Sequence, residues 1–127
     1  MFPHKVLVAV DGSTEAGVAA RMAAVLAAKT GSELHVVHAA PLPSLVGTPE
    51  GTMYDPDVNE RLREMAAETG REVLQDQARQ MSGGKDAVKD THLRIGRPDH
   101  HVTEVAEELG AGLIVVGSRG RGPLKRA

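Results

Sequence analysis

At 127 residues the chain suffices for one domain with its own core, and 41% hydrophobic with 25% charged residues is the balance of a soluble globular protein. Fifteen basic against seventeen acidic residues leave a net charge of -2, which excludes a general nucleic-acid binder, and Phe2 and Tyr54 alone make no stacking platform for bases. The absence of cysteine excludes disulfides and thiolate metal sites; MFPHKVLVAV is no signal peptide, and no apolar run nears the roughly eighteen residues of a membrane span, so the expectation is a cytoplasmic protein with no membrane or nucleic-acid partner.

Residues 5 to 10, KVLVAV, read as a strand buried on both faces and closed by the turn signal Asp11-Gly12-Ser13. A helix follows, with Ser13 or Thr14 as its cap, Glu15 at its positive end and Gly31 at its stop. Val18, Met22, Val25 and Leu26 recur on it at helical spacing and are its expected inner face. Residues 33 to 39, ELHVVHA, form a second strand. His35 and His38 lie on it at an odd separation, so their side chains leave opposite faces and cannot chelate one metal; packing or hydrogen bonding is their expected role.

No element fits residues 41 to 55, which carry three prolines and two glycines; a loop of that length is as a rule functional or mobile. Asp55 and Pro56 open a second helix, on which Val58, Leu62, Met65 and Thr69 share a face that continues toward Val73 and Leu74. Gly70 inside it signals a bend or close packing, and Ser82-Gly83-Gly84 ends it. Residues 90 to 95, DTHLRI, alternate as a sheet-edge strand. Gly96-Arg97-Pro98 opens a third helix whose Val102, Val105, Ala106 and Leu109 fall at i, i+3, i+4 and i+7, and Gly110 closes it. His100 and His101, beside Asp99, are adjacent on this helix and are expected to point apart, which argues against a metal site there. Glu104, Glu107 and Glu108 read as its wet face. Leu113 to Val116 is a fourth, apolar strand running into the glycine-rich basic loop that begins at Gly117.

Alternation of this kind gives an α/β fold: a doubly wound parallel sheet, Rossmann-like, with right-handed crossovers and helices on both faces. Ligands of such sheets sit at the carboxyl ends of the strands where the winding reverses. The first and fourth strands, the most apolar, are the expected central neighbours. That brings Asp11-Gly12-Ser13 beside Gly117-Ser118-Arg119-Gly120 as two walls of a crevice. Glycines let backbone N–H groups approach an anion, and Asp11 is an acceptor suited to a ribose hydroxyl. Each residue also has a plainer reading: Asp11 and Ser13 as turn and cap, and Arg119, Arg121, Lys125 and Arg126 as a solvated basic end. Established phosphate motifs do not transfer. Pro123 stands where a Walker A loop needs Lys, and Lys125 where a GxGxxG needs its last glycine. There is no Gly-x-Ser-x-Gly elbow and no HExxH. With no acid/base pair, nucleophile or metal cluster legible, no catalytic residue is assigned.

Taken together and in order, KVLVAVDGS, ELHVVHA, IGRPDHHV and LIVVGSRGRGPLKR resemble the universal stress protein family along the whole chain. The resemblance implies an adenine nucleotide alpha hydrolase-like sheet of strand order 3-2-1-4-5. Here it would be a single domain over residues 1–127 that lacks the fifth strand and C-terminal helix. One branch of the family binds ATP through G-x2-G-x9-G-[S/T]; Gly117 and Gly120 match its first two glycines, and the third would fall just past Ala127, so the phosphate site is expected to be incomplete. By resemblance, Asp11 with the Gly12-Ser13 turn meets the adenosine, and backbone at Ala9, Val10 and Ala39 frames the base. Gly117, Ser118, Arg119 and Gly120 would line the ribose and phosphates of ATP, with Mg as its companion ion. Gly112 departs from the family's usual Asp before the fourth strand. The resemblance further implies a stress-response regulator that forms homodimers, although the family's dimers commonly pair fifth strands, so another contact is expected here. Two other readings stand beside it: an interaction protein of the family's branch that does not bind ATP, and a small nucleotide hydrolase or transferase. Slow ATP hydrolysis is the most chemistry expected.

Overall fold

A computed structural model of the chain describes residues 3–42, 56–81 and 87–117. Seven elements follow one another: β1 (Lys5–Ala9), α1 (Thr14–Thr30), β2 (Glu33–Ala40), α2 (Pro56–Gln80), β3 (Asp90–Ile95), α3 (Pro98–Leu109) and β4 (Leu113–Val116). All strand pairs are parallel and the sheet order is β3-β2-β1-β4. The sheet therefore winds outward in both directions from β1, which is the doubly wound fold expected. β1 and β4 are neighbours, with Ala9 level with Val116. Among the described residues β1 and β2 are central and β3 and β4 form the edges, the order expected for a sheet of these four strands.

β1 takes the centre because Val6, Leu7 and Val8 can all be buried at once. Val6 and Val8 pack into the layer that contains α1 and α2, and Leu7 into the layer of α3 with Val37, Val105 and Ala106. Each such side chain contributes about 1.5–3 kcal/mol when fully removed from water. The polar strand β3 tolerates an edge, its first residues being exposed.

α1 begins at its Ser13 cap, and α1 and α3 end at the left-handed glycines Gly31 and Gly110, but α1 and α2 turn a different face inward. Ser13 Oγ accepts from Ala16 N at 3.0 Å to start α1. The large apolar residues of α1 then look outward, Val18 at 43%, Met22 at 64% and Val25 at 45% exposure. Its buried face is Ala16, Gly17, Ala19, Ala20, Ala23, Ala24 and Ala27. Across from it the branched side chains of Val6, Val8 and Val36 already fill the seam, so only alanine-sized residues let the helix lie this close. Met22, Val25 and Leu26 instead line an apolar groove of about 450 Å³ against Val115. α2 likewise buries Ala66, Gly70, Leu74, Gln77 and Ala78, one position round from the expected stripe, and leaves Val58 and Met65 exposed. Gly70 marks close packing within an unbroken helix: a Cβ there would stand 2.6 Å from Leu93 Cδ1 and 3.1 Å from Ala40 Cβ. Asp55, Ser82-Gly83-Gly84 and most of the 41–55 loop lie outside the described residues.

Candidate functional site

The carboxyl edge of the sheet gathers the residues singled out for the crevice. With Ala9 level with both Val37 and Val116, two further residues place Asp11 level with Ala39, and one further residue places Val10 level with Gly117. Gly117 then runs against the first turn of α1. A Cβ there would fall 2.5 Å from the Glu15 carbonyl oxygen and 2.9 Å from Ala16 Cα, so only glycine fits. The two walls are thus joined at the N-terminus of α1, where backbone N–H groups and the helix dipole favour an anion.

The turn between them has a defined shape. Asp11 Oδ1 accepts from Ser13 N at 2.9 Å, and Gly12 takes a positive φ of 85° that a side chain would resist. Asp11 and Gly12 are exposed and Ser13, as the cap of α1, is half-buried. Val10 is 3% exposed and packs its side chain into the α1/α2 core, so it offers the crevice only backbone. Ala9 and Ala39 lie on the opposite face, the α3 side, and present only small side chains there. The departure at Gly112 also has a physical reason: a Cβ there would meet Pro3 Cβ at 2.7 Å. Ser118, Arg119 and Gly120 lie outside the described residues.

Two buried polar side chains hold this edge, and sequence reasoning gave neither a place in it. Gln77, 3% exposed, reaches from α2 into the turn: Gly12 N donates to its Oε1 at 3.0 Å and its Nε2 donates to the Ser13 carbonyl at 3.4 Å. No signal for Gln77 was open to sequence reasoning, because the stripe of Ala66, Gly70, Leu74 and Ala78 that it borders is seen only in the folded chain, where a buried polar group needs partners. His38, 5% exposed, donates from Nδ1 to the Val10 carbonyl at 2.8 Å, fixing the end of β1. His35, as expected, leaves the other face, where Nδ1 meets His92 Nε2 at 3.1 Å and Nε2 meets Glu33 Oε1 at 3.3 Å.

Charges sort by sheet edge. At the amino edge His35 hydrogen-bonds Glu33 and holds its carboxyl below the ordinary value, and burial, then the neighbouring His35, lowers His92. By α3, at the carboxyl edge, the hydrogen bond from Arg97 holds the Asp99 carboxyl below its usual range. His100 and His101 do not point apart. His100 Nε2 lies 3.8 Å from Glu104 Oε2 and His101 Nδ1 lies 3.1 Å from Glu104 Oε1, because Glu104 is four residues on from one and three from the other. Glu108 is likewise more than a wet face, pairing with Arg94 at 2.8 Å.

This fold is shared with known proteins. The profile of the Universal stress protein family matches residues 3–127. The chain belongs to the universal stress protein family. It is 33% identical over 125 residues to the universal stress protein YxiE of Bacillus subtilis, covering 96% of this chain and 83% of that relative. Among solved structures it is similar to a protein of the universal stress protein family from Burkholderia pseudomallei, with TM-score 0.67, 30% identity, and coverage of 91% of this chain and 81% of that one. It also shares its fold with a universal stress protein solved in complex with cAMP, at TM-score 0.50 and 21% identity over 90% of this chain and 75% of that one. No helix among the described residues is long and apolar enough to cross a membrane.

Proposed function

We propose that this chain is a cytoplasmic regulatory module of the universal stress type that binds an adenine nucleotide, ATP foremost, between the ends of β1 and β4. The observation that carries the reading is the cradle at Gly117, where the absence of a Cβ lets β4 close onto the first turn of α1 beside the Asp11 turn. In this reading Asp11 accepts a ribose hydroxyl, the backbone at Val10 and the small residues Ala9 and Ala39 border the base, and Ser13 shapes the turn. Gly117 borders the phosphates in this reading, the sequence resemblance would add Ser118, Arg119 and Gly120 as phosphate contacts, and Mg²⁺ would accompany those phosphates. The cAMP complex of a relative with this fold supports an adenine nucleotide as the ligand class. The groups of the Asp11 turn are hydrogen-bonding groups, which suits binding and signalling through other chains, its own copies among them, rather than turnover.

Calorimetry with ATP, cAMP and AMP tests it. Asp11→Asn keeps an Oδ1 for Ser13 N–H and so keeps the turn, but removes the charge. A hydrogen bond to a charged group contributes about 1.5–3 kcal/mol, so nucleotide affinity should fall at least about tenfold. Unchanged affinity in Asp11→Asn, or no nucleotide bound by the unaltered chain, would overturn the proposal.

A further inference from the structure

We propose that His100, His101 and Glu104 form a binding site for a borderline divalent transition cation, of the Zn²⁺ class, on the first turns of α3. The three offer one ligand atom each, all within 4.8 Å of one another. Two imidazole nitrogens and a carboxylate oxygen are the donor set that Zn²⁺, Co²⁺ and Ni²⁺ take, at about 2.0–2.2 Å for Zn²⁺. Closing the remaining gap needs only rotation of exposed side chains, His100 being 67% exposed and Glu104 41%.

His101 is the fixed member. It is 23% exposed, and its ring lies over Gly96, where a Cβ would come within 2.9 Å of Nε2. The glycine leaves space for the ring and the other nitrogen, Nδ1, faces Glu104. Among the described residues Glu104 is ion-paired with these two histidines, and the guanidinium of Arg97 is engaged by both oxygens of Asp99, at 3.3 and 2.7 Å. The second histidine-rich row lacks this convergence: His35 turns one nitrogen to His92 and the other to Glu33, so no single point faces all three. Coordination takes the lone pair of an unprotonated imidazole nitrogen, so cation and proton compete for the same atoms. Three protein ligands leave a fourth position for water or an outside ligand. His101 lies against Gly96 at the end of β3, two strands from β1 in the sheet, and none of the three ligands belongs to the Asp11 turn or to Gly117.

The test uses the full chain, freed of metal, titrated with Zn²⁺ by calorimetry and with Co²⁺ by visible absorption. One equivalent should bind at about 10 μM or tighter, with the Co²⁺ bands of a mixed nitrogen and oxygen site. His101→Gln and Glu104→Gln should each weaken binding at least about tenfold, and His100→Gln with His101→Gln together should abolish the bands. His35→Gln with His92→Gln should leave them unchanged. Thermal melts without metal check that each variant is folded; Glu104→Gln, at a half-exposed position, should match the unaltered chain. The inference fails if Zn²⁺ does not bind, if the paired His100 and His101 variant binds as before, or if the signal follows His35 and His92.

Discussion

Gln77 reaches from α2 to the β1–α1 turn beside Val73, and both ends of its amide are used there. A buried amide is tolerable only in that condition. Gln77→Leu leaves Gly12 N–H without its partner, while the Ser13 carbonyl keeps the bond from Gly17 N at 3.0 Å; the loss should be about 1–3 kcal/mol, read as a lower urea midpoint at constant slope. Gln77→Glu keeps the acceptor for Gly12 N–H, loses the donor to Ser13, and should fall between the two. His92 and Glu33 set an acid limit. Both are lowered when folded, from 6.5 and 4.5, so the unfolded chain binds more protons. Their contribution is present above those ordinary values and is lost as the pH falls, His92 first, below 6.5, then Glu33, below 4.5. Melting temperature should therefore decline from pH 7 to 5, and His92→Gln should flatten that part of the curve; an equal slope in the variant would assign the decline elsewhere.

At the scale of elements, α1 separates what periodicity reads from what packing needs. Ala20 is 1% exposed and Met22 64%. Ala20→Leu should cost about 1–3 kcal/mol by overpacking, while Met22→Ala should stay within about 0.5 kcal/mol. The reverse order in denaturant melts would restore the face built on Val18, Met22 and Val25. The strands were legible almost to the residue, because a β-branched run between turn signals has one reading. The caps at Ser13 and Gly31 were legible for the same local reason. The inner faces of α1 and α2 were not. Pattern matching follows large apolar side chains, whereas alanine and glycine reveal their role only once the valines across the seam are known. Gln77 was hidden by its sequence distance of 65 residues from Gly12.

For the whole molecule, the order β3-β2-β1-β4 explains why Asp11 and Gly117 could be paired from sequence: a strand-to-loop edge follows from topology alone. It also leaves β4 as an edge among the described residues, with Ile114 at 39% and Val116 at 60% exposure. An apolar edge invites pairing with a second copy. Sedimentation should show association that rises with concentration, and Ile114→Lys with Val116→Lys should reduce it. A clean monomer at about 1 mM, where even contacts of about 4 kcal/mol would register, counts against this.

The alanine face of α1 has a consequence in entropy. Alanine has no rotamers to lose on folding, and the valines it meets have a single strongly preferred χ1 in most settings. The seam between α1 and β1 is therefore assembled with little ordering of side chains, and it has few alternative arrangements to visit afterwards. A helix seated this way cannot creep along the sheet by trading one rotamer for another. The end of α1 that borders Asp11 and Gly117 is held by a joint with little play, and adjustment to a ligand must come from the turns rather than from the helix.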